Sequence, residues 1–253
     1  MTVAESLVTV PCLKDNYAYL FRAGDRVAVV DVPEAAPILA ALRERDWTLT
    51  DILITHHHWD HVDGVADLVA ETGAKVWGNA EDAERLPPLD HPVRPGDTVA
   101  IGPESAEVWD VSGHTIGHIA YIFSGTAFTG DSLMAAGCGR LFEGTPERMH
   151  ASLTQFADLP DDTVVASGHE YTAANLAFAR SLEPENQALT FRATEVDGLR
   201  AKGVPSVPST LGEERRTNPF LRSHDEALKA ATGTTGQPDV ETFAAARRAK
   251  DAF

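Results

Sequence analysis

The segment 52–61 reads ILITHHHWDH and joins a short apolar run to a cluster of four histidines and one aspartate. The apolar run 52–54 predicts a buried β-strand, because it is short and rich in branched aliphatic residues. The polar residues follow directly where this strand would end. Since ligand sites of α/β proteins collect at the carboxyl ends of strands, the segment predicts an α/β fold with a site at this sheet edge.

The residue types in this cluster favour a metal site. Imidazole suits borderline transition metals, and a carboxylate adds a hard oxygen ligand. Side chains two residues apart on an extended chain point the same way, so His56 and His58 could bind one metal ion. Asp60 and His61 follow and could reach a second ion. A solvated polar loop would explain one histidine, but the pattern H-x-H-x-D-H after a buried strand favours metal binding.

Three further predicted strands end in a glycine followed by a histidine or an aspartate. These residues are His114 after strand 107–111, Asp131 after strand 127–129 and His169 after strand 162–166. Alone, such a residue is more often a capping or loop residue. Together with His56, His58, Asp60 and His61 they supply five histidines and two aspartates, enough for two metal ions that share one carboxylate.

The other histidines are interpreted differently. We expect His57 to point away from the metal ions and His118 to support a ligand rather than to bind a metal. The remaining three histidines, His91, His150 and His224, are interpreted as surface or packing residues.

Composition limits the classes of partner. The 253 residues carry 21 Lys and Arg against 38 Asp and Glu, a formal net charge of −17. Such an excess of negative charge argues against binding nucleic acid or an anionic membrane surface. Hydrophobic residues make up 43% of the chain, which is ordinary for a globular protein.

Two cysteines, Cys12 and Cys138, form no C-x-x-C pair, so neither a disulfide framework nor a thiolate zinc site is expected. The amino-terminal residues lack the basic start and apolar run of a signal peptide, and no apolar run is long enough for a membrane span. We expect a soluble, cytoplasmic protein, and a monomer.

The pattern along the chain changes near residue 170. Strands and helices alternate before it, and the region 85–103 is predicted as loop or sheet edge because it holds several prolines and glycines. The prediction is an α/β domain over 1–170 and an all-helical domain over 171–253. The predicted tail helices are 173–182, 185–202, 225–231 and 240–252, with a Pro- and Ser-rich connection at 204–219.

These motifs resemble the metallo-β-lactamase fold superfamily and, within it, the hydroxyacylglutathione hydrolase (glyoxalase II) family. The resemblance covers essentially the whole chain and implies an αββα sandwich followed by a smaller C-terminal all-helical domain that binds glutathione. The motifs that carry it are THHHWDH (55–61), GHTIGH (113–118), GCGRLFEGT (137–145), GHEYT (168–172), NPFLR (218–222) and RRAKDAF (247–253).

The resemblance also implies a ligand set for two divalent metal ions, zinc first, with iron or manganese also compatible. One ion would be held by His56, His58 and His114. The other would be held by Asp60, His61 and His169. Asp131 would bridge the two ions, together with a shared hydroxide that attacks the substrate. Asp60 and Asp131 would serve catalysis chiefly by holding the metals and balancing their charge.

The family's glutathione contacts would fall on Arg140, Phe142, Tyr171, Arg247 and Lys250. Some members have Lys and Tyr in place of Arg140 and Phe142. Arginine keeps the positive charge, whereas phenylalanine keeps the aromatic wall and lacks a phenol hydroxyl. Two other interpretations stay open: Phe142 as a core aromatic, and the basic residues near the chain end as partners of a helix C-terminus. Arg248 is expected to face elsewhere.

The implied activity is hydrolysis of the thioester of S-(2-hydroxyacyl)glutathione, typically S-D-lactoylglutathione, the second step of methylglyoxal detoxification. The partner is then a small-molecule thioester. Two alternatives remain: an iron-dependent persulfide dioxygenase on the same fold, and a non-catalytic metal-binding module. The full ligand set and the basic residues near the end of the tail favour the hydrolase.

Overall fold

The structure, a computed structural model, describes residues 2–253 and divides into two units, neither of which is one continuous stretch of chain. Unit 1 contains 2–111, 117–130 and 166–169, and unit 2 contains 112–116, 131–165 and 170–253. Most of unit 2 is the predicted helical tail, joined by two shorter segments from the predicted α/β body. The domain division after residue 170 stays a prediction.

The first sheet of unit 1 has six strands in sequence order. They are β1 (Val8–Cys12), β2 (Asn16–Ala23), β3 (Arg26–Val30), β4 (Asp51–Leu53), β5 (Lys75–Asn79) and β6 (His91–Val93). The first three strands are antiparallel, and β3 to β6 are parallel. Gly24 (φ 64°) forms the tight turn between β2 and β3, a left-handed conformation that favours glycine.

Unit 1 also contains four helices among its described residues. They are α1 (Val3–Ser6), α2 (Ala35–Arg45), α3 (Trp59–Val62) and α4 (Val65–Thr72), and a 3-10 turn spans Ala80–Asp82. Ile38 and Leu42 of α2 and Leu68 of α4 are buried in one cluster with Val29 and Ile52 of the sheet. Burial of these side chains holds the helices on the strands, because each contributes about 1.5–3 kcal/mol when removed from water.

The second sheet lies against the first through aromatic rings. Its strands in unit 1 follow the order β13, β10, β9, β8, β7, and only Ala166 and Ser167 of β13 lie in this unit. The Phe21 ring lies 5.2 Å from the Phe123 ring and 5.5 Å from the Phe128 ring. The bounds are β7 (Thr98–Ile101), β8 (Glu104–Asp110), β9 (Ile119–Phe123), β10 (Thr126–Gly130) and β13 (Val164–Ser167).

These layers confirm the predicted α/β fold. The region 85–103, predicted as loop or edge, contains β6 and β7, and each is the last strand of its sheet. Its prolines suit that position because proline cannot donate a ladder hydrogen bond and is confined to sheet edges.

Unit 2 is mainly helical. Its elements are β11 (Leu133–Met134), β12 (Gly137–Cys138), α5 (Pro146–Thr154), a 3-10 turn (Gln155–Asp158), α6 (Thr172–Leu182), α7 (Gln187–Arg200), β14 (Ser209–Thr210), α8 (Leu211–Thr217), α9 (Glu226–Thr232) and α10 (Asp239–Asp251). β11 and β12 form a hairpin, and β14 pairs with Val164 and Val165. Among residues 2–253, no helix is both long enough and apolar enough to cross a bilayer.

The four predicted tail helices are confirmed as α6, α7, α9 and α10. The prediction of a connection over 204–219 is wrong in its second half, where β14 and α8 lie. The prolines of this region leave 209–218 uninterrupted, which is long enough for a short helix. Glu213 and Glu214 stand in the first turn of α8 and Arg215 and Arg216 in its last, an arrangement that favours the helix dipole.

Candidate metal centre

In unit 1, the chain leaves β4 and turns into α3, which begins after His58. Nε2 of His56 lies 3.1 Å from Nδ1 of His58, so the two side chains do point to one place as the spacing predicts. Asp60 and His61 stand in α3, one turn further along. His56 and His61 are buried, and His58 and Asp60 are partly exposed.

Asp60 and His61 meet His169, which follows β13. One ligand atom from each of the three residues lies within 4.8 Å of the others. Nε2 of His61 is 3.3 Å from Nε2 of His169, and Oδ2 of Asp60 is 3.5 Å from Nε2 of His169. The structure therefore brings together the three residues predicted for the second metal ion.

Two carboxylates that the sequence reasoning missed orient these rings. Asp31 accepts from Nδ1 of His61 at 2.8 Å, and Asp15 accepts from Nδ1 of His169 at 3.0 Å. Because a carboxylate only accepts, each Nδ1 carries a proton, and in the neutral imidazole each Nε2 then presents a lone pair. Asp31 comes directly after strand β3, just as the predicted ligands come after other strands. This position at a strand end is the feature of the sequence that could have indicated it.

The donor set fits a cation. When both rings are neutral, the Nε2 lone pairs of His61 and His169 face one another across 3.3 Å, an arrangement that a positive charge between them would stabilise. A divalent metal ion would attract both nitrogens and the Asp60 carboxylate. Neutral imidazoles whose other nitrogen donates to a carboxylate are the usual form of metal-binding histidines.

Asp31 also lies close enough to His56 and His61 to form a ligand cluster with them. Its two oxygens already accept from the amide and hydroxyl of Thr55, at 2.9 and 2.8 Å, and from His61. A metal ion bound by both Asp31 and Nδ1 of His61 would break the hydrogen bond between these two residues, which orients the His61 ring. We therefore assign Asp31 to holding His61 and Thr55.

In unit 2, His114 and Asp131 form the other part of the predicted set. Nδ1 of His114 donates to the carbonyl oxygen of Arg140 at 2.8 Å, and Nε2 lies 3.5 Å from Oδ2 of Asp131. Both side chains are buried. The chain passes so close at Gly139 that a Cβ there would lie 2.1 Å from the carbonyl oxygen of Asp131, so only glycine fits.

The remaining histidines near the first cluster have structural partners. Nδ1 of His57 lies 3.2 Å from the Asp82 carboxylate, in line with the expectation that it points elsewhere. His118 is buried and stacks on His56, with ring centroids 4.5 Å apart and planes 14° apart. This contact agrees with a supporting role for His118.

The residues predicted for substrate binding all lie in unit 2. Phe142 is 64% exposed, so its interpretation as a core aromatic is wrong, and its ring packs edge-on against His114 at 5.2 Å. Tyr171 is 39% exposed, and Arg140 is exposed. These three side chains are available to a ligand.

Arg247 and Lys250 of α10 are more enclosed than expected. Arg247 is buried and donates to the carbonyl oxygen of Cys138 at 2.9 Å and to Asp251 at 2.8 Å. Lys250 donates to the carbonyl oxygen of Ala174 at 3.1 Å. Burial lowers the pKa of Lys250, and the neighbouring charges of Arg247 and Arg140 lower this pKa further.

Comparison with known proteins decides the family. The family model described as "Metallo-beta-lactamase superfamily" matches residues 14–169, and the one described as "Hydroxyacylglutathione hydrolase C-terminus" matches 170–253. Hydroxyacylglutathione hydrolases of Cereibacter sphaeroides and Rhodobacter capsulatus are 59% and 58% identical, and each alignment covers 98% of both chains. The chain belongs to the hydroxyacylglutathione hydrolase family.

Solved structures agree with this family's fold. ETHE1 from Myxococcus xanthus is 26% identical with a TM-score of 0.66, and the match covers 97% of this chain and 98% of that one. The BLEG-1 B3 metallo-beta-lactamase is 22% identical with a TM-score of 0.65, over 85% of this chain and 99% of that one. The second likeness shows the fold alone. The predicted metallo-β-lactamase fold with a C-terminal helical region is confirmed.

Membership of the hydroxyacylglutathione hydrolase family identifies this chain as a metal-dependent hydrolase and confirms that prediction. The clusters of histidine and aspartate support binding of divalent metal. The individual ligand and substrate assignments stay predictions and are taken up below.

Proposed function

We propose that the chain hydrolyses the thioester of S-(2-hydroxyacyl)glutathione, typically S-D-lactoylglutathione, to glutathione and a 2-hydroxy acid. The observation that carries this proposal is the Asp60, His61 and His169 set, whose two imidazoles are held by carboxylates with their Nε2 atoms converging. Relatives named hydroxyacylglutathione hydrolase, 56–59% identical over 98% of the chain, support the same reaction.

We propose the ligand set in two groups. His56, His58 and His114 would hold one metal ion, Asp60, His61 and His169 would hold the other, and Asp131 would be a ligand common to both. When bound, two divalent ions supply an activated water, whose pKa falls towards about 7, and polarise the thioester carbonyl. Zinc suits this set of nitrogen and carboxylate ligands, and iron or manganese is also compatible. A neighbour of 26% identity, TTHA1623, has been crystallised in a di-iron-bound form.

The chain's own residues orient and balance this centre. Asn16 donates from its side-chain amide to Oδ2 and to the backbone oxygen of Asp60, at 3.1 and 2.9 Å, which fixes that carboxylate. Asp60 and Asp131 offset the positive charge of two divalent ions. No separate acid is needed for the leaving group, because a thiol with a pKa of about 8.5 departs readily as the thiolate.

We assign the glutathione moiety to Arg140, Phe142, Tyr171, Arg247 and Lys250. Glutathione is anionic, and the protein's net charge of −17 opposes its approach, so local cations must offset that field. Arg140 is exposed, and the exposed Phe142 and Tyr171 provide aromatic surface in the same unit. Arg247 and Lys250 place two further positive charges beside Arg140, as the lowered pKa of Lys250 reflects.

The hydrolase is favoured over a persulfide dioxygenase and over a non-catalytic module. The match to a C-terminal hydroxyacylglutathione hydrolase model over 170–253 supports this choice. We further propose a cytoplasmic monomer.

One assay tests the reaction. Purified protein loaded with zinc is mixed with S-D-lactoylglutathione, thioester absorbance is followed, and metal is quantified on the same sample. We expect turnover with two metal ions per chain. No loss of absorbance with S-D-lactoylglutathione or with other acylglutathiones would refute the hydrolase. Oxygen uptake with glutathione persulfide, in protein holding one iron, would favour the dioxygenase.

A further inference from the structure

The hairpin 133–138 connects Asp131 to Arg140, and its backbone is bound by side chains from the helical tail. The partner side chains come from three regions of the tail: α6, α8 together with the residue that follows it, and α10. Some donate to carbonyl oxygens of the hairpin, and one accepts from a backbone amide. These contacts are Asn218 to Met134 and Gly137 (3.0 and 2.9 Å), Asn175 to Ala135 (3.0 Å), Glu214 to Ala136 (2.7 Å) and Arg247 to Cys138 (2.9 Å).

Asn218, the first residue of the NPFLR motif, makes the most of these contacts. It is fully buried, and its side-chain amide donates to both carbonyl oxygens and approaches Glu214 at 3.1 Å. Its oxygen accepts from the amide of Phe220 at 3.0 Å. A buried amide so fully bonded has one position, and it fixes both strands of the hairpin relative to the end of α8.

Glu214 lies behind Asn218 and is also fully buried. Its carboxylate pairs with the buried guanidinium of Arg192 at 2.5 Å and accepts from the amide of Ala136. Ala136 has φ 54°, a left-handed conformation that disfavours a residue with a side chain. Such a conformation persists only where surrounding contacts stabilise it, and here the hydrogen bond from the Ala136 amide to Glu214 of the tail does so.

The hairpin returns the chain to the metal ligands. The amide of Gly139 donates to the carbonyl oxygen of Ser132 at 3.2 Å, directly after Asp131. The next residue, Arg140, offers the carbonyl oxygen that accepts from Nδ1 of His114. The position of this hairpin therefore sets both the backbone of Asp131 and the ring of His114.

We propose that Asn218 is a positioning residue for the metal centre, which acts through the hairpin 133–138 on Asp131 and His114. The proposal rests on the ligand assignment of the proposed function. It gives the tail a second task besides substrate binding, because α8 and the residues around it hold the segment that carries two metal ligands. Asn218 itself touches no proposed ligand.

The test is the metal affinity of Asn218→Ala. Metal-free full-length protein is titrated with Co²⁺ against a competing chelator, and visible absorbance reports both affinity and ligand geometry. Changes behind metal ligands typically cost 10- to 100-fold in affinity, and we expect a loss in that range with an altered cobalt spectrum. Asn186→Ala is the matched control, since Asn186 caps α7 in the same unit by accepting from Ala188 and Leu189.

Two more variants keep the test decisive if Asn218→Ala folds poorly. Asn175→Ala removes one bond, to Ala135, and should give a smaller loss of the same kind. Arg222→Met breaks a partly buried ion pair with Glu183, away from the hairpin, and should lower stability with unchanged cobalt affinity.

Wild-type affinity and spectrum in folded Asn218→Ala, or in Asn175→Ala if the first variant does not fold, would overturn the proposal. A wild-type chain that binds no cobalt would also overturn it, because there would be no ligand to position. The titration contains no thioester, so a chain that binds metal and fails to hydrolyse S-D-lactoylglutathione would refute the proposed function alone.

Discussion

The carboxylate of Asp31 lies 2.8 Å from Nδ1 of His61, and both side chains are buried. The aspartate thereby decides which nitrogen of His61 faces the proposed metal site. Its backbone has φ 56°, a left-handed conformation that Asp and Asn tolerate better than other residues with side chains. Replacing Asp31 by Asn would keep this backbone conformation and remove the negative charge of the side chain.

We predict that Asp31→Asn lowers metal affinity by about 10- to 100-fold, because a neutral amide supports the His61 tautomer less strongly than a carboxylate. Affinity is measured by chelator competition on metal-free protein. Asp51→Asn is the matched control, a buried aspartate of the same unit that pairs with Arg26 and accepts from Trp77. It should change stability and leave metal affinity within twofold, and equal affinity losses in both variants would contradict the role of Asp31.

Much of the proposed metal centre could be predicted because its proposed ligands sit at strand ends. His56, His58, Asp60 and His61 follow β4 within one short segment, so residue type and spacing were enough. Asp15 and Asp31 were missed because the hydrogen bonds that define their roles reach residues 154 and 30 positions away. Nothing in local pattern reports such distant pairs.

The helical tail shows the same limit of prediction from local sequence pattern. Long periodic helices such as α7 were predicted because their apolar spacing is sustained. The short helix α8 was missed, since prolines on both sides made its region look like a connection. Its buried Glu214 and the following Asn218 look polar and solvent-exposed in sequence. Their burial is explained by their partners, which are Arg192 and the hairpin for Glu214 and the hairpin for Asn218.

Arg247 and Lys250 should differ when each is replaced by alanine. Lys250→Ala should raise KM for the thioester more than it lowers kcat, because the proposed role of Lys250 is to bind glutathione away from the reacting carbonyl. Arg247→Ala should raise KM and also lower the free energy of unfolding by about 1–3 kcal/mol, since the buried carbonyl of Cys138 loses its donor. Steady-state kinetics and denaturant melts measure both. Arg248→Ala is the control, because it removes one positive charge from an exposed position of the same helix, α10. It should change neither KM nor the free energy of unfolding.

Ligand binding should weaken at alkaline pH through Lys250. Burial, Arg247 and Arg140 lower the pKa of Lys250, so its positive charge is lost at a lower pH than that of an ordinary lysine. As pH rises through that lowered pKa, affinity for the anionic ligand should fall. Calorimetry with S-methylglutathione, which has no thioester to hydrolyse, measures this. Lys250→Arg should keep the affinity at high pH, and an identical decline in that variant would exclude Lys250 as the cause.

Both cysteines should resist thiol reagents in the native protein. Burial raises the pKa of Cys12 to about 12, helped by the charge of Glu34, and burial raises the pKa of Cys138 to about 11. The thiolate is the reactive form, and at pH 8 it is scarce for both residues. We expect negligible labelling by a disulfide reagent at pH 8, two labelled thiols per chain in urea, and undiminished activity after treatment with iodoacetamide. Rapid native labelling of one thiol per chain would contradict this.

His150 should make the protein sensitive to mild acid. Burial lowers the pKa of His150, and Asp239 opposes that shift without cancelling it. Nε2 of the ring lies within hydrogen-bond distance of the hydroxyl oxygen of Ser223, at 3.1 Å. Below the ordinary histidine pKa of about 6.5 the unfolded chain takes up a proton before the folded chain does. Stability is therefore lost as pH falls from that value through the lowered pKa, and no part of it is lost above about pH 7.

The matched variant is His150→Gln, whose side-chain amide can still form a hydrogen bond with Ser223 and does not titrate. Urea melts at several pH values should show a shallower loss of unfolding free energy in the variant than in the wild type as pH falls below the ordinary histidine pKa of about 6.5. Above pH 7 the two curves should run parallel, because His150 is neutral in both the folded and the unfolded chain. Carboxylates elsewhere titrate in both proteins and cancel in the comparison. Parallel curves over the whole range would show that His150 takes up its proton equally in the folded and unfolded states.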